Sequence, residues 1–336
     1  MLYYTHMNYL TFFRAVLGEA YLMTWRNKGW WLLGALAFFL SGTIGYQLAT
    51  RGMNNLANPV EWMNRWQSVS AGASPWTLFV GQWRLLTSDP AAWFTLVGVW
   101  LMIGVILFAL LCVSAYAVTV LISAVKVREQ QGELSFVLAM REAWYHARTV
   151  VAVVILTQFV SNILLALFSL PVLVLTVYSG GILAGIVSVL LYVIYALVMA
   201  VLAMWVVLTL VGAILYDLPL FKALRFGWVF FWRHWRLTTG LFLSQVLVTV
   251  IASFILIVLV SFIVIPVTII GYLLVANQQY DISQFLPNLI LLLTFGGFFA
   301  FGSAYTVFQL FSWTLAVLTI QEQGTAWRVS IEEISL

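Results

Sequence analysis

The residues of this chain able to do acid–base or ligand chemistry are few. His6, His146 and His234 are the only histidines, and Cys112 is the only cysteine. A single thiol forms no intrachain disulfide, and one placed in the middle of an apolar run is poorly set for redox chemistry. No His-Glu-x-x-His, Gly-x-Ser-x-Gly, Walker or clustered-cysteine pattern occurs. The sequence therefore points to no catalytic residue, no metal ligand set and no cofactor. Within the long uncharged runs the polar candidates are Gln158, Ser161, Asn162, Ser244, Gln245 and Gln309. Amides at such depth hydrogen-bond between helices, for about 0.6–2 kcal/mol each. Their alternative use is a polar pocket shared by Gln158, Asn162 and Gln245. Haem ligation, a proton relay or an intramembrane protease would each need His, Asp or Glu inside these runs.

The elements that carry these residues are set by charge. Between Lys28 and Arg51, Asp89 and Lys126, Arg148 and Asp217, Arg236 and Asp281, and Asp281 and Glu322 there is no Asp, Glu, Lys, Arg or His. A hydrocarbon core about 30 Å thick takes roughly 20 apolar residues to cross as a helix, and the shortest of these gaps holds 22 residues. The expected fold is all-α, a polytopic transmembrane helical bundle forming a single membrane domain over 1–336. Splitting the longest gap at Tyr178-Ser179-Gly180-Gly181 gives six spans, near 30–49, 93–125, 149–177, 182–215, 237–276 and 284–320. Pro171 and Pro266 are expected to kink or end the third and fifth. The pI of about 9.2 is the mark of Lys and Arg in inner loops rather than of a nucleic-acid partner. With the N-terminus inside, only Arg51, Arg65 and Arg84 of the 15 Lys and Arg residues fall outside. This orientation places both termini in the cytoplasm of a bacterial cell, with the chain in the inner membrane. Residues 1–29 carry four charges and no apolar signal-peptide core, and Met7 offers a second start.

The inner segments resemble one another. Ala20 and Trp25, Ala139 and Trp144, and Ala223 and Trp228 share the spacing Ala-x4-Trp, each before an odd-numbered span. Three parallel repeats are implied, about 8–125, 126–215 and 216–320, followed by a cytoplasmic tail over 321–336. Each repeat reads as an interfacial amphipathic helix plus a transmembrane hairpin. In the third copy Leu220, Leu224, Trp228, Phe231 and Trp235 fall on one face, with Lys222, Arg225, Arg233 and Arg236 opposite. Asp217 is placed to cap this helix, with Pro219 in its first turn. Trp25, Trp144, Trp228 and Trp235 read as interfacial anchors, with the cations toward anionic lipid.

The phrases Ala20-x4-Trp25-Arg26-Asn27-Lys28-x-Trp30-Trp31 and Phe221-Lys222-Ala223-Leu224-x3-Trp228-x4-Arg233 resemble a group of bacterial multi-pass proteins. The group is similar to the membrane domain attached to some glycerophosphodiester phosphodiesterases. The resemblance covers most of the chain and implies architecture; the catalytic domain that would carry phosphodiesterase activity is absent.

The outer loop, 50–92, is rich in tryptophan. Trp62 and Trp66 lie one turn apart, and Trp76, Val80 and Trp83 form a second stripe. The loop reads as an anchor in the outer interface, or as a cap or docking surface. Small residues at every fourth position mark helix-packing faces: Ala37, Ser41 and Gly45; Gly181 and Gly185; Gly296, Ala300 and Ala304. They would serve the chain's own bundle or another subunit. Together these features suggest a non-enzymatic membrane scaffold or accessory subunit, contacting lipid and other membrane subunits. The alternative is a transporter or lipid-handling protein for a neutral or amphipathic substrate.

Overall fold

In the computed structural model the described residues are 9–38, 89–178, 182–277 and 280–322. Among them the chain is helical, with no strand. The helices are α1 (Tyr9–Arg26), α2 (Pro90–Gln131), α3 (Phe136–Tyr178), α4 (Ile182–Leu215), α5 (Leu220–Arg233), α6 (Trp235–Ala276) and α7 (Tyr280–Glu322), with a further helical stretch over 30–38. Five of them (α2, α3, α4, α6 and α7) are long and apolar enough to cross a membrane. The protein is a helical multi-pass membrane protein. The expected first span, 30–49, lies mostly outside the described residues, as does the loop carrying Trp62 and Trp66.

α2, α3, α6 and α7 have 42 or 43 residues each. At 1.5 Å per residue each runs about 60 Å, roughly twice the hydrocarbon thickness. Neither proline ends its helix: Pro171 lies within α3 and Pro266 within α6. Each removes one backbone donor, a loss that membrane helices accommodate by local adjustment. The second expected interfacial segment is not a separate helix either. Residues 136–148 continue without a break into α3, because no glycine, proline or capping turn interrupts them.

The chain divides into two compact units: one of Met1–Phe39, Tyr116–Val150 and Met204–Leu336, the other of Leu40–Ala115 and Val151–Ala203. In the first, α1 packs on α7 and α6 on α7. Phe12, Val16, Ala20 and Met23 recur at helical spacing along α1 and are buried. Trp30 is buried against Phe311 of α7 and Phe136 of α3, with ring centroids 6.4 and 5.3 Å away. In the second unit, Phe168 of α3 meets Tyr195 of α4 at 5.5 Å, and Thr157, Ser161, Ser188 and Met199 are buried.

The face of α5 that packs within the protein includes only part of the expected apolar stripe. Its buried residues are Ala223, Phe226, Gly227, Phe230 and Phe231, while Trp228 and Trp235 are exposed. Phe231 thus parts from the two tryptophans with which it was grouped. The packing side is chosen by Gly227, which lets α5 lie directly on the α4 backbone. A Cβ there would meet the Thr209 hydroxyl, with Thr209 N at 2.9 Å and the Trp205 carbonyl at 3.0 Å.

Among the described residues, the glycines that make close contacts are not those of the small-residue stripes, although Ala37 of the first stripe is fully buried; Ser41 and Gly45 lie outside the described residues. Gly34 lies on the Ser303 carbonyl, and Gly212 on Phe226. Gly185 and Gly296 have no atom within 4 Å of an added Cβ and, with Ala300, are exposed; Ala304 is half-buried and Gly181 lies outside the described residues. We expect Gly227→Ala to lower the thermal midpoint of the detergent-purified protein by several degrees. Gly185→Ala should leave it unchanged or slightly raise it through helix propensity. Equal effects at both positions would refute the close α4–α5 contact.

Candidate functional site

The densest polar arrangement lies in the first unit, around Lys126 near the end of α2. Its ammonium donates to Glu142 Oε1 of α3 at 2.8 Å and to Asp217 Oδ1, in the α4–α5 turn, at 2.9 Å. It also donates to the Ile214 carbonyl at 3.0 Å. His146 Nε2 lies 3.1 Å from Asp217 Oδ1 and 3.7 Å from Glu142 Oε1. The spacing from Glu142 to His146 puts both on one face of α3. Beside this cluster Arg128 pairs with Glu19 of α1 at 2.7 Å. Two cations two residues apart on α2 thereby tie α2 to Glu142 within the second Ala-x4-Trp segment, to Asp217 just before the third and to Glu19 beside the first.

Asp217 does not cap α5. The residue at that position is Pro219, which has no side chain to bond the first-turn amides. Asp217 instead terminates α4. It adopts a left-handed backbone with φ 54°, and the next amide, Leu218 N, bonds the Ala213 carbonyl at 3.1 Å. This is the helix end at which glycine is usual. A non-glycine residue in this conformation costs about 1–2 kcal/mol, which the bonds from its carboxylate to Lys126 and His146 help to offset.

The carboxylates of Glu142 and Asp217 and the imidazole of His146 lie within 4.8 Å of one another, a donor set that a divalent cation accepts. Here the ammonium of Lys126 already bonds both carboxylates and supplies the positive charge. The arrangement is an ion-paired joint between helices.

A second polar contact lies between α6 and α7. Gln245 is only 1% exposed; its Oε1 accepts from Trp313 Nε1 at 2.9 Å and its carbonyl from the Tyr305 hydroxyl at 3.2 Å. Its Nε2 has no partner among the described residues. Gln309 is half-buried on α7; Gln158 is half-buried and Asn162 exposed, both in the second unit. A small cavity of about 10 Å³ beside Trp313 is lined by Phe12, Leu208, Phe230 and Leu241, among others. It has room for about one water molecule and no more.

The three Ala-x4-Trp segments share one pattern of exposure. Ala20, Ala139 and Ala223 are all 0% exposed, whereas Trp25, Trp144 and Trp228 are 53%, 73% and 48% exposed. Two segments are braced alike from the preceding helix. The Tyr116 hydroxyl donates to the Met140 carbonyl at 3.0 Å, and its ring stands edge-on to Trp144 at 6.1 Å. Trp205 Nε1 donates to the Leu224 carbonyl at 3.0 Å, and its ring stands edge-on to Trp228 at 6.2 Å. Trp25 instead stacks on Tyr21, with the Lys28 ammonium 5.7 Å from its ring.

No known protein family, curated protein or solved structure matches the chain. The site rests on its own geometry.

Two predictions follow from these contacts. Lys126→Met leaves Glu142 and Asp217 without their ammonium. Because Asp217 is largely exposed, the expected loss is about 1–2 kcal/mol rather than the 3–5 of a fully buried pair. It is measurable as an earlier thermal transition, and an unchanged transition would show the joint to be incidental. His234, at the α5–α6 junction, is buried, and burial with the neighbouring Arg233 lowers its pKa to about 4. Unfolded histidine titrates near 6.5, so between those values the unfolded chain binds the extra proton. Stability is fully present above pH 6.5 and falls by about 3 kcal/mol toward pH 4. His234→Asn should flatten this part of the profile; an unaltered acid slope would assign it to other groups.

Proposed function

We propose that the protein is a non-enzymatic scaffold or accessory subunit of a bacterial inner-membrane complex. Six spans form three parallel repeats, and both termini face the cytoplasm. The observation that carries this reading is the division of labour in the structure. The most apolar stretches of α2 and α6 bury no residue, so two spans offer whole faces to lipid or to other subunits. The polar groups Lys126, Glu142, Asp217, His146 and Gln245 meanwhile bond within the chain. The transport alternative needs a polar path, and Gln245, one of its three amides, is bonded to Trp313.

The repeat reading is supported by the common burial of Ala20, Ala139 and Ala223. It is supported again by the matching braces of Tyr116 on α3 and Trp205 on α5, and by the packing of α1 on α7. Each inner segment then leans on the returning span of another repeat. The likeness to the membrane domain of glycerophosphodiester phosphodiesterases agrees with this architecture.

Mild detergent extraction from native membranes with mass measurement tests the role. A particle holding other membrane subunits or further copies is expected; a strictly monomeric particle with no copurifying protein refutes the reading. In a Cys112→Ala background, Ser70→Cys should react with an impermeant maleimide from the periplasmic side. Gln131→Cys should react only after permeabilisation, and the reverse pattern would invert the topology.

A further inference from the structure

We propose that Arg141 with Trp144, and Arg225 with Trp228, form two equivalent sites for the phosphate headgroup of an anionic phospholipid. The inference rests on the membrane location and not on the scaffold role. In both segments the order is Ala-x-Arg-x-small-Trp, with Ala143 and Gly227 as the small residues. Residues three apart lie about 60° from one another around a helix, so Arg225 borders Trp228 and does not stand opposite it as the apolar pattern of α5 suggested. Arg141 and Trp144 are related in the same way, and all four side chains are exposed. In both, the alanine and the small residue are buried, so the packed side turns the Arg–Trp pair outward.

Both tryptophans are held by the same device, an edge-on aromatic ring whose polar atom bonds the carbonyl one residue past the alanine. A tryptophan fixed at the surface beside a guanidinium matches a lipid at headgroup depth: the ring takes the glycerol and upper acyl region, and the guanidinium takes the phosphate. Charge complementarity favours an anionic lipid. Glu142, next to Arg141, is engaged by Lys126, and no acidic residue occurs from Leu218 to Tyr280. Among the described residues neither Arg141 nor Arg225 forms an ion pair. Lys222, exposed and three residues before Arg225 on α5, adds to the field of the second site. The first copy differs, with Leu22 in the arginine position, and serves as the internal control.

Native mass spectrometry of the full chain in mild detergent provides the test, with phosphatidylglycerol and phosphatidylcholine of matched acyl chains as probes. Two phosphatidylglycerols retained above the phosphatidylcholine level are expected. Arg141→Gln and Arg225→Gln should each weaken one of the two by roughly fivefold, as about 1 kcal/mol per cation implies. The double variant should weaken both by that factor, while Arg26→Gln leaves both unchanged. Equal retention of the two lipids, or a double variant indistinguishable from the wild type, overturns the proposal. So does displacement of both lipids by inorganic phosphate alone, which would mark a site for a free anion. Should a variant fail to fold, the wild type decides alone: its preference for phosphatidylglycerol must shrink as salt is raised, and a salt-independent preference refutes the assignment.

Discussion

The ammonium of Lys126 fixes the geometry on which the first unit depends. It binds one carboxylate from α3, one from the α4–α5 turn and the Ile214 carbonyl at the end of α4. A cation at a helix C-terminus is favourable in itself, and here the same charge also neutralises two acids. The carbonyl and the two carboxylates give the ammonium three acceptors, matching its three donors. That matters because a lysine so near an apolar span keeps its charge only if its lost hydration is replaced. The cluster thereby sets where α2 and α4 stop being membrane-compatible and where α5 begins. At the left-handed turn that ends α4, Asp217 presents its carboxylate to this ammonium.

The membrane character of the chain was legible in the gaps between its charges, because ionised groups are expensive in hydrocarbon whatever the fold. Five long apolar helices stand where those gaps predict them. Which face each helix buries was far less legible. The rule that apolar residues face inward loses its force when the surroundings are also apolar. On α5 every candidate face contained aromatic residues, and Trp228 was indistinguishable by hydropathy from Phe231. What separated them was Gly227, which admits the backbone of α4 and draws Phe226 and Phe230 to the same side.

Polar partnerships were hidden for a different reason. Lys126 finds its carboxylates 16 and 91 positions along the chain, and Gln245 finds Trp313 68 positions away. No local spacing encodes such pairs. Glu142 and His146, one turn apart on α3, were the single local hint of a cluster, and the non-glycine helix end at Asp217 left no mark in sequence. The small-residue stripes illustrate the converse. Glycines four apart permit close approach but do not require it; Gly185 and Gly296 are open, while Gly34 and Gly212, outside any selected stripe, carry the contacts.

The Ala-x4-Trp spacing is best understood as an instruction about rotation. Five residues turn a helix through about 140° beyond a full turn, so a buried alanine places the tryptophan on the far side of the axis. The small residue four after the alanine lies on the packed side with it, whether Thr24, Ala143 or Gly227, and all three are buried. The tryptophan is too large to enter so tight a contact, and its indole N–H is best satisfied where polar partners exist. Size therefore fixes one side of each segment against its neighbour and leaves the tryptophan exposed on the other. A pattern of this kind orients helices without any chemistry-bearing residue. That is why it can recur in segments whose charged residues differ, and why the ionic joint at Lys126 is formed by residues outside the motif's own two positions.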